Sequence, residues 1–353
     1  MGAGLAASLA AAPLGALAAL DTHHLSQSAT EANSTLIGVM LPETRQLPDA
    51  AAHLLHGIQQ ALGTQHTLLT ERSGITSDSV VLAAQYLLEA GSKLLIGLVS
   101  PTQTEALHPI LHAHDAVLLA LTPGETVVQR AHPRVFYASL GYWQSAYAAG
   151  QWAARQHGGR AMLLASFYES GFDTVYAFEQ GVSAAGGQLI DRHITHVHPT
   201  ADRLAAALSA VRANRPDVVY AAYQGAQAAA FLKAYRGAGL TAPLVAAPFM
   251  PDAQSHTVIS AAHGQQPFMA LGQTAGQWLS RALDAARGDI LAVRHHLPAA
   301  AVAGHHFDAS THTLLANQLV VRHNGAQLAY LPTPAVTLSG AGQSGWTFGY
   351  LTV

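Results

Sequence analysis

From residue 34 onward the chain alternates short apolar runs with longer amphipathic stretches. The runs 35–40 (TLIGVM), 94–99 (LLIGLV), 116–121 (AVLLAL) and 161–165 (AMLLA) have the length and composition of strands buried on both faces. Between the first two, residues 48–62 place Ala51, Leu54, Leu55, Ile58, Ala61 and Leu62 on one helical face. The same reasoning predicts helices over 79–90, with Asp78 or Ser79 as N-cap and Gly91 as stop, and over 102–113, 142–156, 173–185, 200–213 (capped by Thr200) and 225–237. Further strands are predicted at 66–70, 135–138, 189–194, 217–222 and 244–246. Beyond 250 the pattern predicts helices near 254–262, 269–287 and 290–300. Two last strands, 318–322 and 327–331, flank the turn dipeptide Asn324-Gly325.

Apolar strands separated by amphipathic helices build parallel sheets covered on both faces. The pattern restarts after residue 140, so the expected fold class is α/β, with two doubly wound parallel-sheet lobes joined by a hinge. Ligands of such sheets bind beyond the carboxyl ends of the strands. Two facing sheets would therefore surround one shared cleft.

At 353 residues the chain has room for two such cores. Half of it is hydrophobic and a tenth charged, which excludes disorder. The net charge of -3 and the lack of any Lys/Arg cluster exclude a basic face for nucleic acid. Cysteine is absent, which removes disulfides, thiol chemistry and thiolate metal sites. Residues 1–20 are almost wholly Ala, Leu and Gly and read as the apolar part of an export signal, although no Lys or Arg precedes Arg45. Residues 1–33 are thus expected to be a leader, and the mature chain to lie in the periplasm.

The loops after the strands hold the candidate chemistry. Ser100-Pro101-Thr102-Gln103-Thr104 offers hydroxyls at a helix start, which suit a carboxylate or carbonyl oxygen; capping of the helix by Ser100 or Thr102 is the structural alternative. Thr122-Pro123-Gly124-Glu125-Thr126 adds two hydroxyls and a glycine that permits close backbone approach. Tyr168, in Phe167-Tyr168-Glu169-Ser170-Gly171, and Tyr223, in Tyr223-Gln224-Gly225, could cover the apolar part of a ligand or pack in the core.

These segments together resemble the type I periplasmic binding proteins of ABC importers, in the branched-chain amino acid and amide/urea group. The resemblance rests on VLAAQYLLEAGSKLLIGLVSPTQTEAL (81–107), DAVLLALTPGET (115–126), ESGFDTVYAFEQGVSAAGG (169–187), DVVYAAYQGAQAAAFLKAYRGAGL (217–240) and FDASTHTLLANQLVVRHNGAQL (307–328), and covers about 35–330. It implies that Ser100, Thr102, Thr122, Gly124 and Thr126 hold a ligand's carboxylate or amide. It implies binding aromatics at Tyr223 and near Tyr168 or Ser170. It also implies three crossings between lobes, with lobe one at 34–140 and 250–325 and lobe two at 141–249 and 326–353. Amino-acid binders of the group carry an acid after the next strand; this chain has Ala247-Pro248-Phe249 there, so Phe249 is a candidate contact. An amide, a urea-like compound, a carboxylate without an ammonium group or a partly aromatic solute fits that place, and Glu43 or Glu125 could substitute for the acid.

The implied function is capture of a small polar ligand and its delivery to an ABC permease in the inner membrane. A ligand sensor or regulator of the same fold is the alternative, and neither catalysis nor a cofactor is expected. No phosphate loop or nucleophile elbow occurs. The run of His193, His196 and His198 supplies too few converging ligands for a metal, so none is expected.

Overall fold

The computed structural model describes residues 34–43, 48–74, 76–124, 131–166, 173–195, 200–251, 256–261 and 266–334, without the side chains at 101, 102 and 173. The expected leader at 1–33 lies outside the described residues. The first half runs β1 (Leu36–Pro42), α1 (Ala50–Leu62), β2 (Thr67–Ser73), α2 (Ser77–Glu89), β3 (Leu94–Leu98), α3 (Pro101–Ala113), β4 (Val117–Thr122), β5 (Val135–Ser139), α4 (Tyr142–His157) and β6 (Arg160–Ser166). It continues with α5 (Asp173–Ala184), β7 (Gln188–Thr195), α6 (Ala201–Asn214), β8 (Val218–Ala222), α7 (Gly225–Gly237), β9 (Leu244–Ala246) and β10 (Thr257–Ala261). The last part comprises α8 (Pro267–Ala285), the short α9 (Val293–His296), β11 (His305–Asp308), β12 (Thr313–Ala316), β13 (Gln318–His323) and β14 (Ala326–Pro332).

The strands form two seven-stranded sheets, ordered β11-β12-β5-β4-β3-β1-β2 and β14-β13-β10-β9-β8-β6-β7. Each is parallel through its centre and closes one edge with antiparallel strands, β11 on β12 in the first and β13 and β14 in the second. The chain passes between sheets at Leu140-Gly141, between Ala261 and Gln266, and at Asn317.

Sheet one shows why its strands read as continuous apolar runs. Leu94, Ile96 and Leu98 pack into a cluster with Leu54 and Ile58 of α1 and Trp278 of α8. Leu95, between them, packs on the other face with Val80 and Leu87 of α2 and Leu107 of α3. Alternate side chains therefore enter different cores, and each buried Leu or Ile contributes about 1.5–3 kcal/mol.

Helix pairs are joined through glycine in both lobes. A methyl group on Gly57 of α1 would lie 2.1 Å from the Met269 carbonyl oxygen of α8, and one on Gly272 of α8 would lie 2.3 Å from that of Leu54. In lobe two, a methyl on Gly150 of α4 would lie 2.2 Å from the Phe178 oxygen of α5, and one on Gly181 2.0 Å from that of Tyr147. The backbones themselves are in contact at both places.

The structure departs from the sequence expectations at several points: β11 and β12 were not expected, and the helix expected near 290–300 is reduced to Val293–His296. Residues 257–261 form a strand where a helix was expected, because the β-branched run Thr257-Val258-Ile259 fills the position beside β9. As β10 and β13 belong to sheet two, the segment 250–325, expected in lobe one, divides between the sheets. The cap of α2 is Thr76, whose hydroxyl accepts from Ser79 N, rather than Asp78 or Ser79. The turn at Asn324-Gly325 has the positive φ values, 51° and 75°, that its sequence predicts.

A histidine cluster sits at the amino end of β5. The rings of His108 and His132 stack at 3.9 Å and 4°, and His312, within 3.1 Å of the His132 carbonyl oxygen, stacks on Phe136. Burial, with the neighbouring His108, Arg134, His312 and His112, pushes the His132 pKa down to about 4.

Two outcomes follow from this packing. Gly57→Ala gains about 1 kcal/mol of helix propensity, but its methyl forces α1 from α8, so a net loss of about 2 kcal/mol is expected in urea unfolding. Gly237→Ala, where a methyl meets nothing within 4 Å, should instead gain about 0.5 kcal/mol. Because the folded state keeps His132 neutral while the unfolded chain protonates it near pH 6.5, this stability is complete above about 6.5 and declines toward about 4. Thermal melts across that range should show the fall, and His132→Phe, which keeps a stacked ring, should reduce it.

Candidate functional site

The carboxyl ends of the parallel strands carry a series of hydroxyls in apolar surroundings. Ser73, Ser100, Thr122 and Ser139 stand at or just past strand ends in sheet one, and Ser166 and Thr195 in sheet two; none is more than 5% exposed. A hydroxyl buried this deeply needs a partner, since leaving one unmet costs about 1–3 kcal/mol. Ser73 donates to the Leu41 carbonyl oxygen at 3.2 Å and Thr195 to that of Ala165 at 3.4 Å. Ser139 accepts from Gly141 N at 3.0 Å, fastening the first crossing between the sheets.

Ser100 caps α3. Its hydroxyl accepts from Gln103 N at 3.3 Å, while the Gln103 side chain accepts from Ser100 N at 2.8 Å, a reciprocal capping box. The capping role weighed for this residue is therefore present, and the Ser100 hydroxyl proton remains available as a donor. Thr102 lies in the first turn of α3.

Thr122, the last residue of β4, differs from its neighbours. It is fully buried, and its hydroxyl has no hydrogen-bond partner among the described residues. Its carbonyl oxygen accepts from Leu140 N at 3.0 Å, so the side chain is fixed beside the crossing. Trp143 Nε1 and the Ser145 hydroxyl, both in the first turn of α4, are likewise buried without a partner among the described residues. Neither was singled out from the sequence. The rule that selected Thr122, a hydroxyl ending an apolar strand, would also have found Ser139 and Ser166.

Gly124 has φ 146°, and a methyl on it would lie 2.4 Å from Tyr142 N. The close approach it permits here is to the start of α4. Phe249 is half-buried, packs against the cores of both lobes, and tilts against Tyr142 with ring centroids 5.6 Å apart. Tyr223 is fully buried and stacks on Phe231 at 4.5 Å, so its ring belongs to the core of lobe two. Thr126, Tyr168 and Ser170 lie outside the described residues, as do Glu125, Glu169, His196 and His198.

The electrostatics favour an electron-rich guest. The first turns of α3 and α4 contain no acid, so neither helix supplies a negative charge to its own positive dipole end. Glu43 is 65% exposed and pairs with Arg72 at 3.0 Å. Burial raises the Tyr142 phenol above its ordinary range, so it stays protonated and can only be a neutral group. His193 pairs with Asp191 at 3.2 Å, and no cluster able to hold a metal occurs among the described residues. The described residues of the set suit hydrogen bonding to a ligand oxygen and include no pair of carboxylates for acid–base work.

The fold has close counterparts among solved structures. An ABC transporter substrate-binding protein from Sphaerobacter thermophilus superimposes with a TM-score of 0.71 at 20% identity, over 85% of this chain and 98% of that one. A solute-binding protein from R. palustris, solved with benzoate, gives 0.70 at 19% identity, over 88% and 99%. A leucine-binding protein from Thermotoga maritima gives 0.65 at 17%, over 84% and 99%. At these identities the likeness establishes the type I fold of two mixed, mostly parallel sheets. No curated protein matches the sequence. The family model described as periplasmic binding protein matches residues 49–272, more than half of the 353-residue chain, and the chain therefore belongs to the periplasmic binding protein family.

Proposed function

We propose that the protein is the solute-binding component of an ABC importer, which encloses a small carboxylate or amide between its lobes and delivers it to a permease in the inner membrane. The fully buried hydroxyl of Thr122, without a partner among the described residues, carries this reading: it would be a donor held ready at a strand end, beside the crossing about which the lobes would close. Ser100, Thr102, Gly124 and Thr126 would complete the oxygen-binding side. Phe249, Tyr168 and Ser170 would face the rest of the ligand, with Tyr223, whose ring lies in the core of lobe two, backing that wall. Binding without catalysis fits a site whose described residues offer donors but no acid–base pair.

The absence of an acid at 247–249 favours a ligand without an ammonium group. Two structural counterparts were solved with such acids, benzoate and 3,4-dihydroxybenzoic acid. Phe249, half-buried and backed by Tyr142, would pack on an aromatic ring. An aromatic acid is thus the preferred ligand class, ahead of amides and branched-chain amino acids. Periplasmic residence accords with the family, and no described helix is long and apolar enough to cross a membrane.

The test is a thermal-shift panel of benzoate, 3,4-dihydroxybenzoate, leucine and acetamide, followed by calorimetry on the strongest responder. Benzoate or its dihydroxy derivative should raise Tm most; a panel without any response overturns the reading. Thr122→Val should stabilise the ligand-free protein by about 1 kcal/mol, because it removes an unmet buried hydroxyl. The same change should raise Kd about tenfold, about 1.4 kcal/mol. Stabilisation with unchanged Kd would leave Thr122 out of the site.

A further inference from the structure

At the opposite end of sheet two from the buried hydroxyls, a groove of about 580 Å³ opens between the ends of α4 and α7. The starts of β9 and β10, at Leu244 and Thr257, and the end of β13, at His323, form its floor. Its size lies within the range of about 300–1,000 Å³ usual for small-molecule sites.

The walls are apolar and fixed. Trp152 and Leu240 are half-buried, and Tyr235 is held by a hydrogen bond from its hydroxyl to the Ala242 carbonyl oxygen at 2.8 Å. His157 stands edge-on to Trp152, with ring centroids 5.2 Å apart and planes at 80°. A bulge in β14 shapes the lip. Val321 faces Ala329 and Arg322 faces Gln327, so Leu328 has no partner in the register, and its side chain lines the groove while 60% exposed. Bulges commonly re-aim a side chain in this way.

The polar groups are all cationic or neutral. Arg236, His157 and His323 line the groove, and no Asp or Glu does. Arg236 spends its Nε on the Leu232 carbonyl oxygen at 3.2 Å, and no carboxylate pairs with its guanidinium among the described residues. His323 Nδ1 lies 2.9 Å from the Thr257 hydroxyl, which orients the ring. The depression that adjoins the groove adds Arg212, Arg215 and Asp217; Arg212 donates to the Ala238 carbonyl oxygen, and Asp217 accepts from Arg160 N at 2.9 Å.

We infer that this groove is a second ligand site, separate from the cleft, which takes a small aromatic anion. The ring lies against Trp152, Tyr235 and Leu328, and the anionic group meets Arg236 and the two imidazoles. Partial burial and the nearby His323 hold His157 below its ordinary pKa, so an arriving anion promotes proton uptake. Binding therefore tightens as the medium becomes mildly acidic, with Arg236, His157 and His323 facing the guest and Asp217 opposing them from the neighbouring depression.

The test uses 2-naphthoate as probe and the full chain, with binding read from the indole N–H signal of Trp152, assigned through Trp152→Phe. Millimolar 2-naphthoate should shift that signal, and Arg236→Gln, a change at an exposed position, should raise its Kd about tenfold. Lowering the pH from about 8 to about 6 should tighten binding in the native protein, and less in His157→Gln. Thr122→Val should leave this titration unchanged, which separates it from the cleft. No shift of the signal, equal binding of the uncharged 2-naphthamide, an unaffected Arg236→Gln variant, or loss of binding in Thr122→Val would each overturn the inference.

Discussion

Backbone contact between paired helices is the constraint on which both lobes depend. Lobe one is assembled from separate stretches of chain, and α8 reaches it only after the chain has visited sheet two. Gly57 and Gly272 let α8 settle against α1 closely enough for Phe268, Leu271 and Trp278 to share one core with Leu54 and Ile58. Gly150 and Gly181 do the same for α4 and α5. In each lobe the helix that follows the first strand receives the helix that arrives from the other sheet. Such close approach gives dispersion contacts over the whole length of the pair and tolerates no added methyl.

This rigidity explains why buried hydroxyls can be sustained at the strand ends. Ser73, Ser100, Ser139 and Thr195 each satisfy a backbone group. They work as local ties in the loops and crossings. Thr122 sits in the same framework without such a duty. A donor left unmet in a well-ordered strand is a standing cost in the ligand-free protein, and under the proposed function a guest oxygen would remove it, so that part of the affinity would be stored in the fold.

Most of the architecture was legible in the alternation of runs, because strands such as LLIGLV bury both faces and tolerate no polar interruption. The antiparallel edges were less so. The strand at Thr257–Ala261 is short and lies near Pro251 and Pro267, and a five-residue run with four apolar or β-branched positions suits a buried helix turn as well as a strand. Its pairing with β9 and β13 is decided by a vacancy in the sheet, which a local pattern does not contain. Among the site candidates, Ser100 and Thr122 were visible as hydroxyls ending strands. Gly124 and Tyr223 carried the right chemistry, but the structure places α4 against one and Phe231 against the other. Trp143 was missed because an aromatic residue near a helix start reads as core; only its unmatched indole N–H marks it out.

The first crossing ends at Gly141, in the left-handed conformation with φ 67°, and α4 begins at the next residue. Its 16 residues reach about 24 Å, from Tyr142 beside the crossing to His157 at the distant groove. Held on α5, the helix must move with lobe two, so in the proposed closure each 10° of rotation about its first residue would carry its far end through about 4 Å, which makes the remote pole the place where closure is largest.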